Sequence, residues 1–296
     1  MPMRILVTND DGIHSPGLHA LAAAVVAAGH EAVVAAPSSD WSGASACLGP
    51  LEDPKRVSVE RVALPVPDGS TMTGFSVGAP PALISMLADL GGFGEPPEMV
   101  VAGINRGPNT GRSTLFSGTI GAVLTGERFG WSGMAVSLDV AVSDGSDDGS
   151  DDGSDDGSDD GSDDGPEDGG SAREGPREPH WGTAADLVRT VLPWLVAAPQ
   201  RTILNLNVPD APLSDVRGLR GAGLAPVGGV RTVITGIDDH GLDLDLIAND
   251  RPVPEGTDSA LLVAGWATIT PLLPTSAVDV ELPLAEWSAS LPGGGA

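Results

Sequence analysis

An apolar run, a helical segment and a second apolar run fill the first 36 residues, and this order limits the possible folds most strongly. Met3 to Thr8 predicts a strand that is buried on both faces, as in parallel sheets. Ser15 followed by Pro16 predicts a helix start, and Leu18 to Ala28 predicts the body of that helix. Ala32 to Ala36 predicts a second buried strand. Two such strands joined by a helix need a right-handed crossover, so the chain begins as a doubly wound α/β sheet.

The same alternation of elements resumes after a middle part that is rich in Pro and Gly. Further helices are predicted at Pro80 to Leu90, Thr119 to Phe129 and Thr183 to Ala197. Further strands are predicted at Met99 to Ala102, Met134 to Leu138, Thr202 to Val208 and Leu261 to Ile269. Alternating residues predict an antiparallel hairpin or arm at Val230 to Ile234 and Leu242 to Ile247.

An acidic tract interrupts this pattern, since Ser146 to Gly165 is the sequence SDDG repeated five times. Such a tract has little to bury and its charges repel one another, so it predicts disorder. We place the insertion at residues 140–179, in a surface loop, where extra length costs little loop-closure entropy. Weak calcium binding, docking and a repeat expansion without function are the alternatives for it. The rest is interpreted as one domain, 1–139 with 180–275, followed by a C-terminal helix and tail at 276–296.

Charge and composition exclude several classes of partner. The net charge is −26, and the chain remains acidic when the insertion is left out, so a nucleic-acid partner is not expected. No apolar run has membrane-spanning length, so no membrane partner is expected either. Cys47 is the single cysteine, and the first residues lack the shape of a signal peptide, so a cytoplasmic location is expected.

Polar residues follow the predicted parallel strands, where doubly wound sheets bind ligands. Asp10 and Asp11 follow the first strand, and adjacent carboxylates suit Mg²⁺ or Mn²⁺, although the same residues also fit an ordinary turn. The loop Pro37 to Ser45 offers hydroxyls for a metal or a phosphate, or is a plain polar loop. Asn105, after a later strand, offers a carbonyl oxygen to a metal.

A phosphate site is predicted at Ser117, Gly118 and Thr119, which precede a predicted helix. Plain N-capping is the alternative interpretation of these three residues. Because all these loops lie at one edge of one sheet, together they favour metal-assisted phosphate hydrolysis. The residues alone therefore indicate a phosphate-handling α/β enzyme.

The chain resembles the SurE (survival protein E) family of 5'-nucleotidases. The resemblance rests on segments that occur in the family's order and cover most of the chain outside the insertion. These segments are Arg4 to Gly17, Ala35 to Ser45, Gly103 to Gly111, Ser117 to Gly121, Met134 to Leu138, Leu204 to Pro209, Gly256 to Asp258 and Ala267 to Leu272. The first four together are highly specific.

The resemblance implies the fold, the reaction and the assembly. It implies a Rossmann-like α/β fold, a three-layer sandwich around a mostly parallel sheet, with an antiparallel hairpin and C-terminal arm. It implies hydrolysis of nucleoside 5'-monophosphates, and also of 3'-monophosphates and short polyphosphates in some members, with one divalent ion, Mg²⁺ or Mn²⁺, per subunit. It further implies a homodimer or homotetramer formed by arm swapping.

Residue by residue, the resemblance assigns the expected site. The metal ligands fall on Asp10, Asp11, Ser42 and Asn105, and the first two are also the expected catalytic residues. The substrate-binding residues fall on Asn9, Asn109, Ser117, Gly118 and Thr119.

The proton-transfer groups stay open at this point. Asp11 is one candidate for assisting proton transfer. His14 lies near the same loop and is either a proton donor or a surface residue at a helix start.

Two other functions are alternatives. A nucleotide-sugar transferase would need a second full Rossmann-like domain, for which the C-terminal third is too short and too rich in strands. A non-catalytic nucleotide sensor or acidic interaction protein would depend on the SDDG tract. Deleting Val140 to Pro179 would then abolish its function, whereas a phosphatase would keep its turnover.

Overall fold

The fold is taken from a computed structural model of the 296-residue chain. It describes residues 2–51, 53, 55–65, 69, 71–140, 177–227, 230–238, 240–248, 252–277, 279, 281 and 283. Most of the predicted insertion, residues 141–176, and most of the predicted C-terminal helix and tail lie outside the described residues.

The described residues form strands and helices that alternate over most of the chain. The strands are β1 Arg4–Thr8, β2 Glu31–Pro37, β3 Val59–Pro65, β4 Thr71–Val77, β5 Met99–Arg106, β6 Ser132–Asp139, β7 Ile203–Pro209, β8 Leu219–Gly221, β9 Val230–Ile237, β10 Leu242–Ala248 and β11 Ala267–Leu272. The helices are α1 Pro16–Ala27, α2 Pro81–Asp89, α3 Gly118–Glu127, α4 Trp181–Ala197 and α5 Asp258–Val263, and a short 3-10 segment spans Gly111–Phe116.

Nine of these strands form one mixed sheet in the order β3-β4-β2-β1-β5-β6-β7-β11-β8. The central strands from β4 to β7 are parallel to their neighbours, while β3 and β11 pair antiparallel with β4 and β7. The strands β9 and β10 form a separate two-stranded antiparallel sheet. Consecutive parallel strands thus place their carboxyl ends, and the loops that follow them, at one edge of the sheet.

Two apolar layers hold helices on both faces of the sheet. On one face, α1 and α4 pack through residues such as Leu21 and Val188 onto one hydrophobic cluster. On the other face, α2 and α3 pack through residues such as Ile84 and Val123 onto a second cluster. The three-layer α/β sandwich and the separate antiparallel hairpin that the sequence predicted are therefore confirmed.

The prediction of one strand at Leu261 to Ile269 was wrong. The segment is divided between α5 and β11, and Gly265, with φ of +82°, lies in the turn that separates them. Asp258 in the first turn favours helix, and apolar residues alone do not distinguish a short helix from a strand. The strands β3, β4 and β8 were not predicted either. β3 and β8 are the two edge strands and have many exposed residues, and β4 lies next to β3.

No helix among the described residues is long and apolar enough to cross a membrane.

Candidate functional site

The turn after β1 is held by a side chain of its own and by a main-chain bond to the end of β2. The Asn9 side-chain amide donates to the carbonyl of Gly12 (3.0 Å), and the amide of Ile13 donates to the carbonyl of Pro37 (2.8 Å). Gly12 has φ of +98°, a left-handed conformation that glycine adopts without steric cost. The turn therefore presents Asp10 and Asp11 at the carboxyl edge of the sheet, beside the end of β2.

Asp10 is buried and is held by the first turn of α3. The Thr119 amide donates to its Oδ2 (3.1 Å), and the Thr119 hydroxyl donates to its Oδ1. Gly118 lies against the same carboxyl group, since a Cβ added there would be 2.7 Å from Oδ2. Burial raises the pKa of Asp10, whereas the bonds from Thr119 lower it. The positive end of the helix thus faces a carboxylate that burial disfavours.

Asp11 has a different environment. Its Oδ2 is buried and has no hydrogen-bond partner among the described residues. Burial, followed by the negative charges of Asp10 and Asp40, raises the pKa of Asp11 to about 7, although the main-chain amide of Arg106 lowers it. Asp11 therefore lies between the ends of β1 and β5, with one oxygen atom free to accept a ligand.

The loop after β2 reaches the same place from the solvent side. The amide of Trp41 donates to the carbonyl of Asp10 (2.8 Å), which fixes the loop to the first turn. Ser42 is exposed, and its hydroxyl and amide both donate to Oδ1 of Asp40 (2.7 and 2.6 Å). The predicted ligand Ser42 thus follows Trp41, the residue that contacts Asp10. Its own hydrogen bonds, however, go to Asp40 in the same loop.

The end of β5 contains a glycine at which any side chain would collide with the neighbouring strand. Gly103 has φ of +128°, and a Cβ there would be 2.2 Å from the carbonyl oxygen of Val136. The side-chain Nδ2 of Asn105 donates to the carbonyl of Gly107 (2.7 Å). This bond uses the side-chain nitrogen of Asn105 and not the side-chain oxygen, which is its predicted ligand atom.

The predicted phosphate residues have internal partners. The Ser117 hydroxyl accepts from the amide of Ile120 (3.1 Å) and caps α3, which is the N-capping alternative. The Thr119 amide and hydroxyl donate to Asp10, as described above. Binding of substrate by Ser117, Gly118 and Thr119 stays a prediction.

A clamp of buried residues holds Asn109, and it was not predicted from the sequence. Asn205 and Asn207 donate from their side chains to the Asn109 carbonyl (2.8 and 3.0 Å), and Oδ1 of Asn207 accepts from the Asn109 amide (2.8 Å). Ser137 accepts from the Asn109 side chain (2.9 Å). The available signal was the alternation of Asn with apolar residues in β7, because a buried polar residue needs a partner.

Asp258 performs a second anchoring role. It is fully buried and accepts from the amides of Gly111 and Ala225 (2.8 Å each). These bonds attach the loop that carries Asn109 and the 3-10 segment to the C-terminal part of the fold.

Sequence comparison places the chain in a known family. The model of the family described as survival protein SurE matches residues 5–228. The chain belongs to the SurE family. A 5'/3'-nucleotidase SurE of Edwardsiella ictaluri is 32% identical over 301 residues, which cover 99% of each chain. A 5'-nucleotidase SurE of Aeromonas hydrophila is 32% identical over 275 residues, covering 91% of this chain and 92% of the relative.

A solved structure supports the same fold. The crystal structure of the SurE protein from Aquifex aeolicus superposes with a TM-score of 0.62 and 22% sequence identity. It covers 91% of this chain and 92% of the Aquifex chain.

The site of this SurE chain fits a divalent cation. Asp10 and Asp11 are adjacent carboxylates with raised pKa values, and no Lys, Arg or His of the described residues forms a salt bridge with them. The buried oxygens Oδ1 of Asn9 and Oδ2 of Asp11 have no partner among the described residues. Hard oxygen donors of this kind suit Mg²⁺ or Mn²⁺.

No three His, Cys, Asp or Glu side chains of the described residues converge as a metal cluster. The expected set does not need three, since it combines two carboxylates with a hydroxyl and an amide oxygen. His14 is exposed in this structure.

Proposed function

We propose that this SurE-family chain is a 5'-nucleotidase that hydrolyses nucleoside monophosphates to nucleoside and phosphate with the help of one divalent ion. The observation that carries the proposal is the pair Asp10 and Asp11 at the carboxyl edge of the sheet, beside the first turn of α3. The names of the curated relatives support the substrate class, and those that are called 5'/3'-nucleotidases extend it to 3'-monophosphates.

We assign the ion to Asp10, Asp11, Ser42 and Asn105. When bound, a divalent ion supplies Lewis-acid polarisation of the phosphate and activates the attacking water. The chain supplies negative oxygen atoms that are already in place, because Thr119 fixes the carboxylate of Asp10 through two hydrogen bonds. A fixed ligand avoids the entropy cost of ordering a long side chain when the ion binds.

Proton transfer falls to Asp11 in this proposal. Both oxygens of Asp10 already accept hydrogen bonds from Thr119, whereas Oδ2 of Asp11 has no partner among the described residues. A carboxylate oxygen has two lone pairs, so Oδ2 of Asp11 can bind the ion with one and take a proton with the other. Asn9 and Asn109 line the same edge and position the substrate.

Self-association is part of the proposal. The β9–β10 hairpin forms no part of the main sheet, and its side chains Ile237, Leu242 and Leu244 are 75%, 56% and 63% exposed. An arm with exposed apolar residues is suited to packing on a second copy of the chain. A homodimer or homotetramer would bury these residues, and the mass in solution, from light scattering, tests this point.

The experiment that tests the function measures phosphate released from a panel of nucleoside 5'- and 3'-monophosphates. The full chain is assayed with Mg²⁺, with Mn²⁺ and with EDTA. We expect release with at least one ion and none in EDTA. A folded protein that releases no phosphate with either ion would refute the nucleotidase, and equal release in EDTA would refute the metal dependence.

The alternatives have less support. The transferase needs a second doubly wound domain, and the described residues contain one large sheet and a hairpin. The sensor depends on the SDDG tract, which lies outside the described residues, so its role stays a prediction.

A further inference from the structure

Two large apolar side chains are exposed next to the proposed phosphate site. Leu115 and Phe116 end the 3-10 segment, and they are 69% and 63% exposed. Neither has a role in the reaction described above. Large apolar side chains that stay exposed at a polar site are typical of surfaces that bind a ligand.

The backbone that carries these side chains is fixed. Ser45 donates from its hydroxyl to the carbonyl of Leu115 (2.7 Å) and from its amide to the carbonyl of Phe116 (3.1 Å). Ser45 lies directly on α3, because a Cβ added at Gly121 would be 2.1 Å from the Ser45 carbonyl oxygen. The other end of the segment is held by the bond between Gly111 and Asp258. A ligand that contacts these side chains therefore has little backbone to order.

The separation between Phe116 and the proposed phosphate site fits the separation between base and phosphate in a nucleotide. Gly118 lies against the carboxyl group of Asp10, and Phe116 precedes Gly118 by two residues. Two residues span about 7 Å at most, so the Phe116 backbone lies within that distance of Gly118. In a nucleoside monophosphate one ribose separates the phosphate from the base. A base whose phosphate lies at Asp10 is therefore within reach of Phe116.

We propose that Phe116, with Leu115 beside it, forms the surface on which the nucleobase stacks. This inference rests on the proposed function. An aromatic ring stacks on any base without reading its hydrogen-bonding edge, and the larger face of a purine gives the larger contact. The contact also suits a chain of net charge −26, because the base is uncharged and is not repelled as the phosphate is. Phe116 is thus a specificity-determining residue that favours purine nucleotides.

The test compares a substrate that has a base with one that lacks it. The full chain and its Phe116→Ala variant are assayed on AMP, CMP and ribose 5-phosphate with the activating ion. We expect Phe116→Ala to lower kcat/KM for AMP about tenfold, mainly through KM, and to lower it less for CMP. Hydrolysis of ribose 5-phosphate should change less than twofold, and Phe116→Trp should keep AMP turnover.

The matched control is Trp194→Ala. Trp194 is an aromatic residue of α4 that is 60% exposed, on the face of the sheet that carries α1 and α4. It should leave the ratio of AMP to ribose 5-phosphate turnover unchanged.

Equal losses on AMP and ribose 5-phosphate, or no loss on AMP, would overturn the proposal. A change in the mass of the Phe116→Ala protein with an unchanged substrate ratio would also overturn it, because the side chain would then serve contact with a second copy. Calorimetric binding of AMP and ribose 5-phosphate separates this failure from failure of the function. A wild-type protein that releases no phosphate refutes the nucleotidase, whereas an unchanged ratio of the two affinities in Phe116→Ala refutes the base contact.

Discussion

The two sides of the candidate site differ in how firmly the fold holds them. The inner half, Asp10 with Gly118 and Thr119, is buried and joined by hydrogen bonds between β1 and α3. The outer half, Asp40 with Ser42, is exposed and is bonded mainly within its own loop. The difference indicates that the inner half sets the geometry of the chemistry, whereas the outer half can adjust when a ligand binds.

The largest effect is expected from Asp10→Asn. The variant removes a negative charge from the buried pair and places an amide NH₂ opposite the donors of Thr119. We expect kcat/KM for phosphate release to fall roughly a thousandfold, the size of a transition-state charge interaction of several kcal/mol. In EDTA the variant should melt close to the wild type, because removal of a charge that burial disfavours offsets the loss of a hydrogen bond from Thr119.

The control for this variant is Asp186→Asn, which removes an exposed carboxylate of α4 that pairs with Arg189. It should leave phosphate release within twofold of the wild type. Comparable losses in both variants would mean that overall charge, and not the inner half, matters.

A smaller effect is expected from Gly118→Ala. The added Cβ would lie 2.7 Å from Oδ2 of Asp10, so the carboxyl group must move. We expect roughly a hundredfold loss of kcat/KM, as for other displacements of about 1 Å at a reacting centre. Gly182→Ala is the matched control, since Gly182 lies in the first turn of α4 and its Cβ would meet nothing within 4 Å. If both variants kept full activity, the fixed position of Asp10 would not be what the site requires.

Substitutions in the outer half should lower activity less, and Ser42→Ala tests this expectation. The variant keeps the bond from the main-chain amide to Asp40 and loses only the exposed hydroxyl. Water can take the place of that hydroxyl, so we expect a three- to tenfold loss of kcat/KM and a higher requirement for the ion, from metal titrations of the rate. A loss as large as that of Asp10→Asn would contradict the claim that the inner half alone sets the geometry of the chemistry.

The smallest effect concerns stability in the absence of metal. The pKa of Asp11 is raised to about 7 by burial and by the charges of Asp10 and Asp40. Between its unfolded value near 3.9 and this folded value the native state binds more protons, so stability falls as the pH rises. We expect a loss on the order of 1 kcal/mol between pH 5 and pH 8, discounted for partial exposure.

Urea unfolding in EDTA at a series of pH values measures this slope, and Asp11→Asn should flatten it. Added Mg²⁺ or Mn²⁺ should restore stability above pH 7 in the wild type. If the stability of the wild type in EDTA rose with pH, that result would contradict the raised pKa of Asp11.

The sequence predicted the parts of the fold that depend on local patterns. Buried strands such as β1 and β2, and the helix begun by Ser15 and Pro16, carry continuous apolar runs and a clear start signal. The edge strands β3 and β8 carry no such run, because much of their surface faces solvent. The segment after Thr257 was misassigned for the related reason that six residues are too few to show a helical period.

The candidate site also has parts that local sequence patterns predict and parts that they do not. The positions of Asp10 and Asp11 at a strand end could be predicted, because the turn follows the strand directly. The clamp of Asn205 and Asn207 on Asn109 could not, since it joins residues almost a hundred positions apart. The internal use of Thr119 was also beyond the sequence, because one hydroxyl can serve a phosphate or a carboxylate.

The bond between Gly111 and Asp258 has a consequence for biosynthesis. It joins residues 147 positions apart, so the 3-10 segment that follows Asn109 is anchored only after almost the whole domain has left the ribosome, later than the clamp from Asn205 and Asn207 can form. At typical elongation speeds that interval lasts roughly 7 to 30 s. A growing chain carries its acidic pair early but lacks the anchor, and a protein cut short before residue 258 should remain inactive for the same reason.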